Sequence, residues 1–155
     1  MDAISKTLLW LKHYRAWKSF AQHSGDRIRE LMQELNLSPS PGAVRYDRLP
    51  GGGQGDSMEE KHLERQQELR ELIEDLKTRS RMARNSTTLI ELAVSSLSPA
   101  DKDLITYRAM DGMTWTATAI RCGYSESYCR RRCKIIIKEL AFILFGTMDE
   151  QKENP

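Results

Sequence analysis

The stretch TWTATAIRCGYSESYCRRRCKIIIKEL, residues Thr114 to Leu140, decides the reading of the fold. Thr114 stands before a short run, Trp115 to Cys122, and its hydroxyl is a good N-cap because it can accept from an N–H that the first helical turn leaves unbonded. Gly123 supplies the left-handed residue that closes such a helix at no Cβ cost. Tyr124 is expected to plug the turn. Ser125 then caps a third helix of about five turns. Two helices joined by a short glycine-bearing turn, with the basic one second, form a helix-turn-helix arrangement.

The second of these helices has two faces. With Cys129, Cys133, Ile136 and Leu140 as its buried stripe, about 100° per residue points Ser127, Arg131, Lys134 and Lys138 directly away. Arg130 then lies on one flank, and Tyr128 and Arg132 on the other. Net charge over the 155 residues is only +2, yet six basic side chains lie between Arg121 and Lys138 against the single acid Glu126. That face suits the DNA major groove, because the arginine fork matches guanine O6 and N7. The capped helix start at Ser125 favours a nearby phosphate.

Toward the N-terminus, Ser98-Pro99 reads as an N-cap followed by proline at the first helical position, with Asp101 beside the positive helix end. That helix carries Leu104, Ile105 and Ala109 and stops at Asp111-Gly112. Residues 97–146 therefore make one helical domain. Residues 58–96 form a long charged helix. Along it Leu69, Ile73, Leu76, Ser80, Ala83, Thr87, Ile90 and Val94, continuing to Leu97, alternate by three and four as a heptad seam does. Either the same segment of another subunit or the aromatic stripe of the first helix can cover that seam, and a homo-oligomer joined by it is expected.

Residues 38–57, with Pro39, Pro41, Pro50 and Gly51-Gly52-Gly53-Gln54-Gly55, are too poor in apolar side chains to fold and read as a flexible linker. As a phosphate-binding loop they lack the following Lys-Ser/Thr and a preceding strand. Residues 1–37 place Ala3, Trp10, Tyr14, Trp17, Ala21, Ser24, Ile28, Leu31 and Leu35 on one helical stripe. Ser24-Gly25 interrupts it and Asp26 can cap a restart, so one kinked helix and two helices both fit. The acidic tail, residues 147–155, reads as disordered. The fold class is all-α: a helical, coiled-coil N-terminal part followed by the helix-turn-helix domain.

No secretory leader or apolar run of the roughly 18 residues a membrane span needs is read. The expected location is therefore the cytoplasm, with no membrane partner. Cys122, Cys129 and Cys133 are odd in number, lack the paired spacing and fourth ligand of a zinc site, and read as small core residues. His13, His23 and His62 stand apart from any nucleophile pattern. No enzyme, metal or cofactor is expected. Trp10, Tyr14 and Trp17 have the helical spacing of interhelical packing rather than of a nucleobase platform.

The run LSPADKDLITYRAMDGMTW through GYSESYCRRRCKIIIKEL resembles the promoter-reading fourth region of sigma factors. Leu97, Pro99, Leu104, Gly112, Thr114, Trp115, Ala119, Gly123, Ser125 and Leu140 match its recurrent positions. With the RLPGGGQGD linker and the charged helix before it, the chain is similar to phage late-gene transcriptional activators of the ArpU and RinA type. The resemblance implies a sequence-specific transcription activator in a bacterial host cell, with double-stranded DNA as its partner and RNA polymerase as a further one. It places Glu126, Ser127, Arg130 and Arg131 at base edges, with Glu126 accepting from cytosine N4 and the arginines donating to guanine. Arg132, Lys134 and Tyr128 fall on phosphates. With Ser125 and Lys138 these make the DNA-binding set. Thr118 replaces a large aliphatic residue of the pattern and the three cysteines replace larger ones. Ile120 takes a polar, solvent-facing place, so the second helix is either slightly rotated or presents an apolar contact. Two other roles fit less well. A small terminase subunit for DNA packaging usually puts its DNA-binding module first, and a sigma-like accessory factor would be expected to carry a strand-opening module as well.

Overall fold

The computed structural model describes residues 1–37 and 57–147, and among these it is all-α, with no strand. The linker at 38–56 and the tail from 148 lie outside the described residues. No helix described is long and apolar enough to cross a membrane.

Helix α1 spans Ala3–Leu37. Asp2 starts it: its carboxylate accepts from the Ser5 amide at 2.7 Å and the Ser5 hydroxyl at 2.9 Å, which holds the Asp2 carboxyl below its ordinary range. The helix runs through Ser24-Gly25 unbroken, so of the two arrangements that fit the sequence the single helix is the one formed. Ser24 is buried and turned inward, where its hydroxyl can donate to the Ala21 carbonyl and accept from the Ser80 hydroxyl at 2.7 Å. Helix α2 spans Met58–Ser95, and Ser57 Oγ accepts from the Glu60 amide at its start.

Packing divides the chain into two compact units, one within Phe20–Met82 and the other made of Met1–Ser19 and the chain from Ala83 onward. In the Phe20–Met82 unit, Leu31, Leu69 and Ile73 are buried together, with Ile28, Leu35 and Leu76 against them. Arg65 reaches Glu34 at 2.8 Å along its exposed edge. Leu69, Ile73 and Ser80 of the heptad seam are thus taken by α1 of the same chain. Of the two coverings that fit the seam, contact with the first helix of the same chain is the one formed at these positions, while Leu63, Leu72 and Met82 on the same helix remain exposed.

In the other unit three further helices follow α2: α3 (Pro99–Ile105), α4 (Trp115–Cys122) and α5 (Glu126–Phe145). A π-helical turn, Thr106–Met110, extends α3, and the Asp111 amide donates to the Thr106 carbonyl at 2.8 Å. Leu11, Ile90, Leu104, Ile105, Ile136 and Leu140 are fully buried in one cluster. Each contributes about 1.5–3 kcal/mol relative to exposure. The first helix turns a different edge inward than its aromatic spacing suggested. Thr7 and Leu11 are the residues with no exposed surface, while Trp10, Tyr14 and Trp17 pack from the rim. Indole rings are too large to share the narrow seam between close helices. Trp10 instead meets Trp17 edge-on at 5.8 Å and Phe145 edge-on at 5.1 Å.

Candidate nucleic-acid interface

The turn that carries α5 is built from local bonds. Ser98 Oγ accepts from the Asp101 amide at 3.3 Å and fixes the start of α3. Thr114 Oγ1 accepts from the Ala117 amide at 3.2 Å and caps α4. Gly123 closes α4 at φ +74°, where its amide donates to the Ala119 carbonyl at 2.9 Å. Ser125 Oγ accepts from the Tyr128 amide at 3.2 Å and opens α5. Tyr124 does not plug this turn. It is exposed, and its ring lies 4.8 Å from that of Tyr128, because a phenol is too broad for a three-residue connection and covers a neighbouring ring instead.

The unusual residues of α4 have separate explanations. Thr118 is fully buried, and its hydroxyl donates to the Thr114 carbonyl at 2.8 Å, so a polar side chain sits in the core without an orphaned group. Ile120 is 79% exposed, which means α4 presents an apolar contact outward rather than rotating to bury it. Cys129 and Cys133 are buried and Cys122 is half-buried, all as free thiols. Burial pushes the three thiols up, Cys133 to about 11, so none is a ready thiolate. Among the described residues no group of three or more His, Cys, Asp or Glu is placed to hold a metal ion.

On α5 the buried face is wider than the four-residue stripe, since Ile137 and Ala141 are buried as well. Adding them turns the outward direction by about 30°. Arg131 and Lys138 stay near its centre, and Lys134 moves toward the flank that Arg130 occupies. Ile135 and Phe142, each about half exposed, join the outer surface. Ser127, Arg131, Lys134 and Lys138 are all exposed, as is Tyr128.

The basic side chains differ in how far they are already engaged. Arg132 donates to Asp101 through Nε at 2.8 Å and through a terminal nitrogen at 2.5 Å. The Arg132 guanidinium holds the Asp101 carboxyl below its usual range, and the Arg132 pKa rises in turn. A forked pair whose carboxylate is buried ties α5 to α3, so the phosphate role expected for Arg132 does not suit its geometry. Arg130 donates to Glu126 Oε1 at 2.6 Å and lowers that carboxyl, while Thr116 donates to the other Glu126 oxygen at 3.2 Å. Arg130 also lies 5.0 Å from the Trp115 ring, and Arg108 lies 4.4 Å from it. Arg121 stands 4.8 Å from the Tyr107 ring. Arg131, Lys134 and Lys138 have no hydrogen-bond, ion-pair or ring partner among the described residues.

Two groups escaped the reading of the sequence: Lys12 and Leu8 of α1, and Arg108 of the π turn. All line a cavity with Trp115, Arg130 and Lys134. No local motif marks them, because their placement depends on which edge of α1 faces α5. Comparison with known proteins returns no match to this chain, whether among family models, curated proteins or solved structures.

Proposed function

We propose that the chain is a sequence-specific regulator of transcription that lays α5 in the major groove of duplex DNA. The observation that carries this reading is a sorting of charge. Arg130, Arg132, Arg108 and Arg121 are held by carboxylates or aromatic rings, whereas Arg131, Lys134 and Lys138 stand unpaired on the outward face of a capped helix. Unpaired cations in a row on one face form an electrostatic footprint for a phosphate backbone, and an arginine among them can read a base. The resemblance of this module to the fourth region of sigma factors, and of the chain to phage late-gene activators, supports activation of transcription in a bacterial host with RNA polymerase as a further partner. One module makes few base contacts, so two copies on repeated half-sites belong to the reading.

Gel-shift titration tests it. Arg131→Ala should weaken binding by about 1–3 kcal/mol and relax preference at one base, if its contact is bidentate. Lys134→Ala should weaken binding to all sequences alike. Unchanged affinity and preference in Arg131→Ala would sink the assignment of α5 as the reading helix.

A further inference from the structure

Between the start of α1, the π turn, the head of α4 and α5 lies a cavity of about 590 Å³. Its walls are apolar, formed by Leu8, Ala109, Trp115, Cys133 and Ile137, and Lys12, Arg108, Arg130 and Lys134 also line it. No carboxylate is among the lining residues. The volume falls within the roughly 300–1,000 Å³ of small-molecule sites, which combine an apolar lining with a few polar groups that orient the ligand.

The four cations are not equivalent. Arg108 donates to the Met113 carbonyl at 2.6 Å and Arg130 to Glu126, and both lie against the indole of Trp115. Lys12 and Lys134 are exposed and have no such partner among the described residues. A wholly apolar ligand would displace water from beside those ammonium groups without replacing its hydrogen bonds, and a bare anion would leave the walls wet. We infer that the cavity binds a small amphiphilic carboxylate, its apolar body against Leu8, Ala109 and Ile137 and its charge on Lys12 and Lys134. Lys134 also belongs to the proposed DNA face. An occupant carboxylate therefore competes with the duplex for that ammonium, a consequence that rests on the DNA-binding reading. The ligand is an effector that lowers DNA affinity.

Calorimetry of the full chain without DNA, using 1-naphthaleneacetate as probe and its neutral amide as control, tests the cavity. The expected result is one saturable site, with the amide at least about tenfold weaker because it lacks the charge-assisted bonds. Lys12→Glu, at an exposed position, should weaken the acid by a similar factor, and Leu8→Trp should obstruct the site by bulk, each with circular dichroism unchanged. Absence of saturable heat, equal affinities for acid and amide, or indifference to Lys12→Glu overturns the assignment. Gel shifts with saturating acid then test the coupling. DNA affinity should fall several-fold with the acid and stay constant with the amide, and Lys12→Glu should bind DNA but ignore the acid. DNA affinity unmoved by the acid overturns the coupling. A chain that binds the acid but no duplex refutes the DNA-binding reading and leaves the cavity assigned.

Discussion

The unit that carries α5 closes over Leu104, Ile105, Ile136 and Leu140, with Leu11 of α1 and Ile90 of α2 in the same cluster. Among the described residues, the unit within Phe20–Met82 closes over the smaller cluster of Leu31, Leu69 and Ile73, with Ile28, Leu35 and Leu76 against it. Both are built from helices with regular apolar spacing, yet they differ in how many sides of a side chain find protein. Two helices cover one another along a single seam, so the flanks of the smaller unit remain charged or exposed, as at Arg65 and Leu72. Ile136 is fully buried in a cluster to which all five helices contribute. Heptad spacing alone thus says little about stability, which follows from the number of elements meeting at each buried position. Helix α5 stands on the better-enclosed base.

The largest expected effect tests that contrast directly. Ile136→Ala should cost about 2–5 kcal/mol, read as a lower midpoint of thermal unfolding. Leu69→Ala should fall at the low end of that range, because its thin core can collapse or admit water. Native-state hydrogen exchange should show amides near Leu69 opening at lower free energy than those near Ile136. Equal protection in the two places would break the comparison.

A smaller effect concerns the Ser24–Ser80 hydroxyl pair buried in the two-helix unit. Ser24→Ala leaves the Ser80 hydroxyl buried without its partner and should cost about 1–3 kcal/mol. Adding Ser80→Ala should recover most of that loss, so a double-mutant cycle with additive penalties would show that the two hydroxyls are not coupled.

The smallest lies between α3 and α5. Asp101→Asn should cost about 1–2 kcal/mol, discounted because the Arg132 end is partly exposed. The Asp101 carboxyl is held below the unfolded value of about 3.9. Its contribution is therefore complete above that pH and is lost as pH falls through the depressed native value. Acid titration of stability should be shallower in Asp101→Asn, and an identical acid limb would remove the pair from the stability of this unit.

Much of the fold was legible because its signals are local. Ser98-Pro99, Thr114, Gly123 and Ser125 each act on a backbone group within a few residues, and all four hold the places their chemistry requires. The π turn was not legible, since one shifted hydrogen bond at Thr106 leaves no mark in residue type. Leu11 was passed over because Trp10 and Trp17 dominate any hydrophobic count, while packing prefers the slimmer side chain at the seam. Tyr124 failed for the same reason of size. Within the candidate site, the outward direction of Arg131 followed from helical period alone. The engagement of Arg132 by Asp101 spans 31 positions and depends on how two helices cross.

That engagement also governs how DNA binding would respond to salt. Each phosphate neutralised by a protein cation releases counterions and steepens the decline of affinity with salt by about 0.9. A guanidinium that already holds a carboxylate delivers little net positive charge to the duplex. Arg130 and Arg132 would therefore add little to the salt slope, and Arg131, Lys134 and Lys138 would set most of it. The ionic-strength dependence of binding becomes a count of cations that reach the helix unaccompanied.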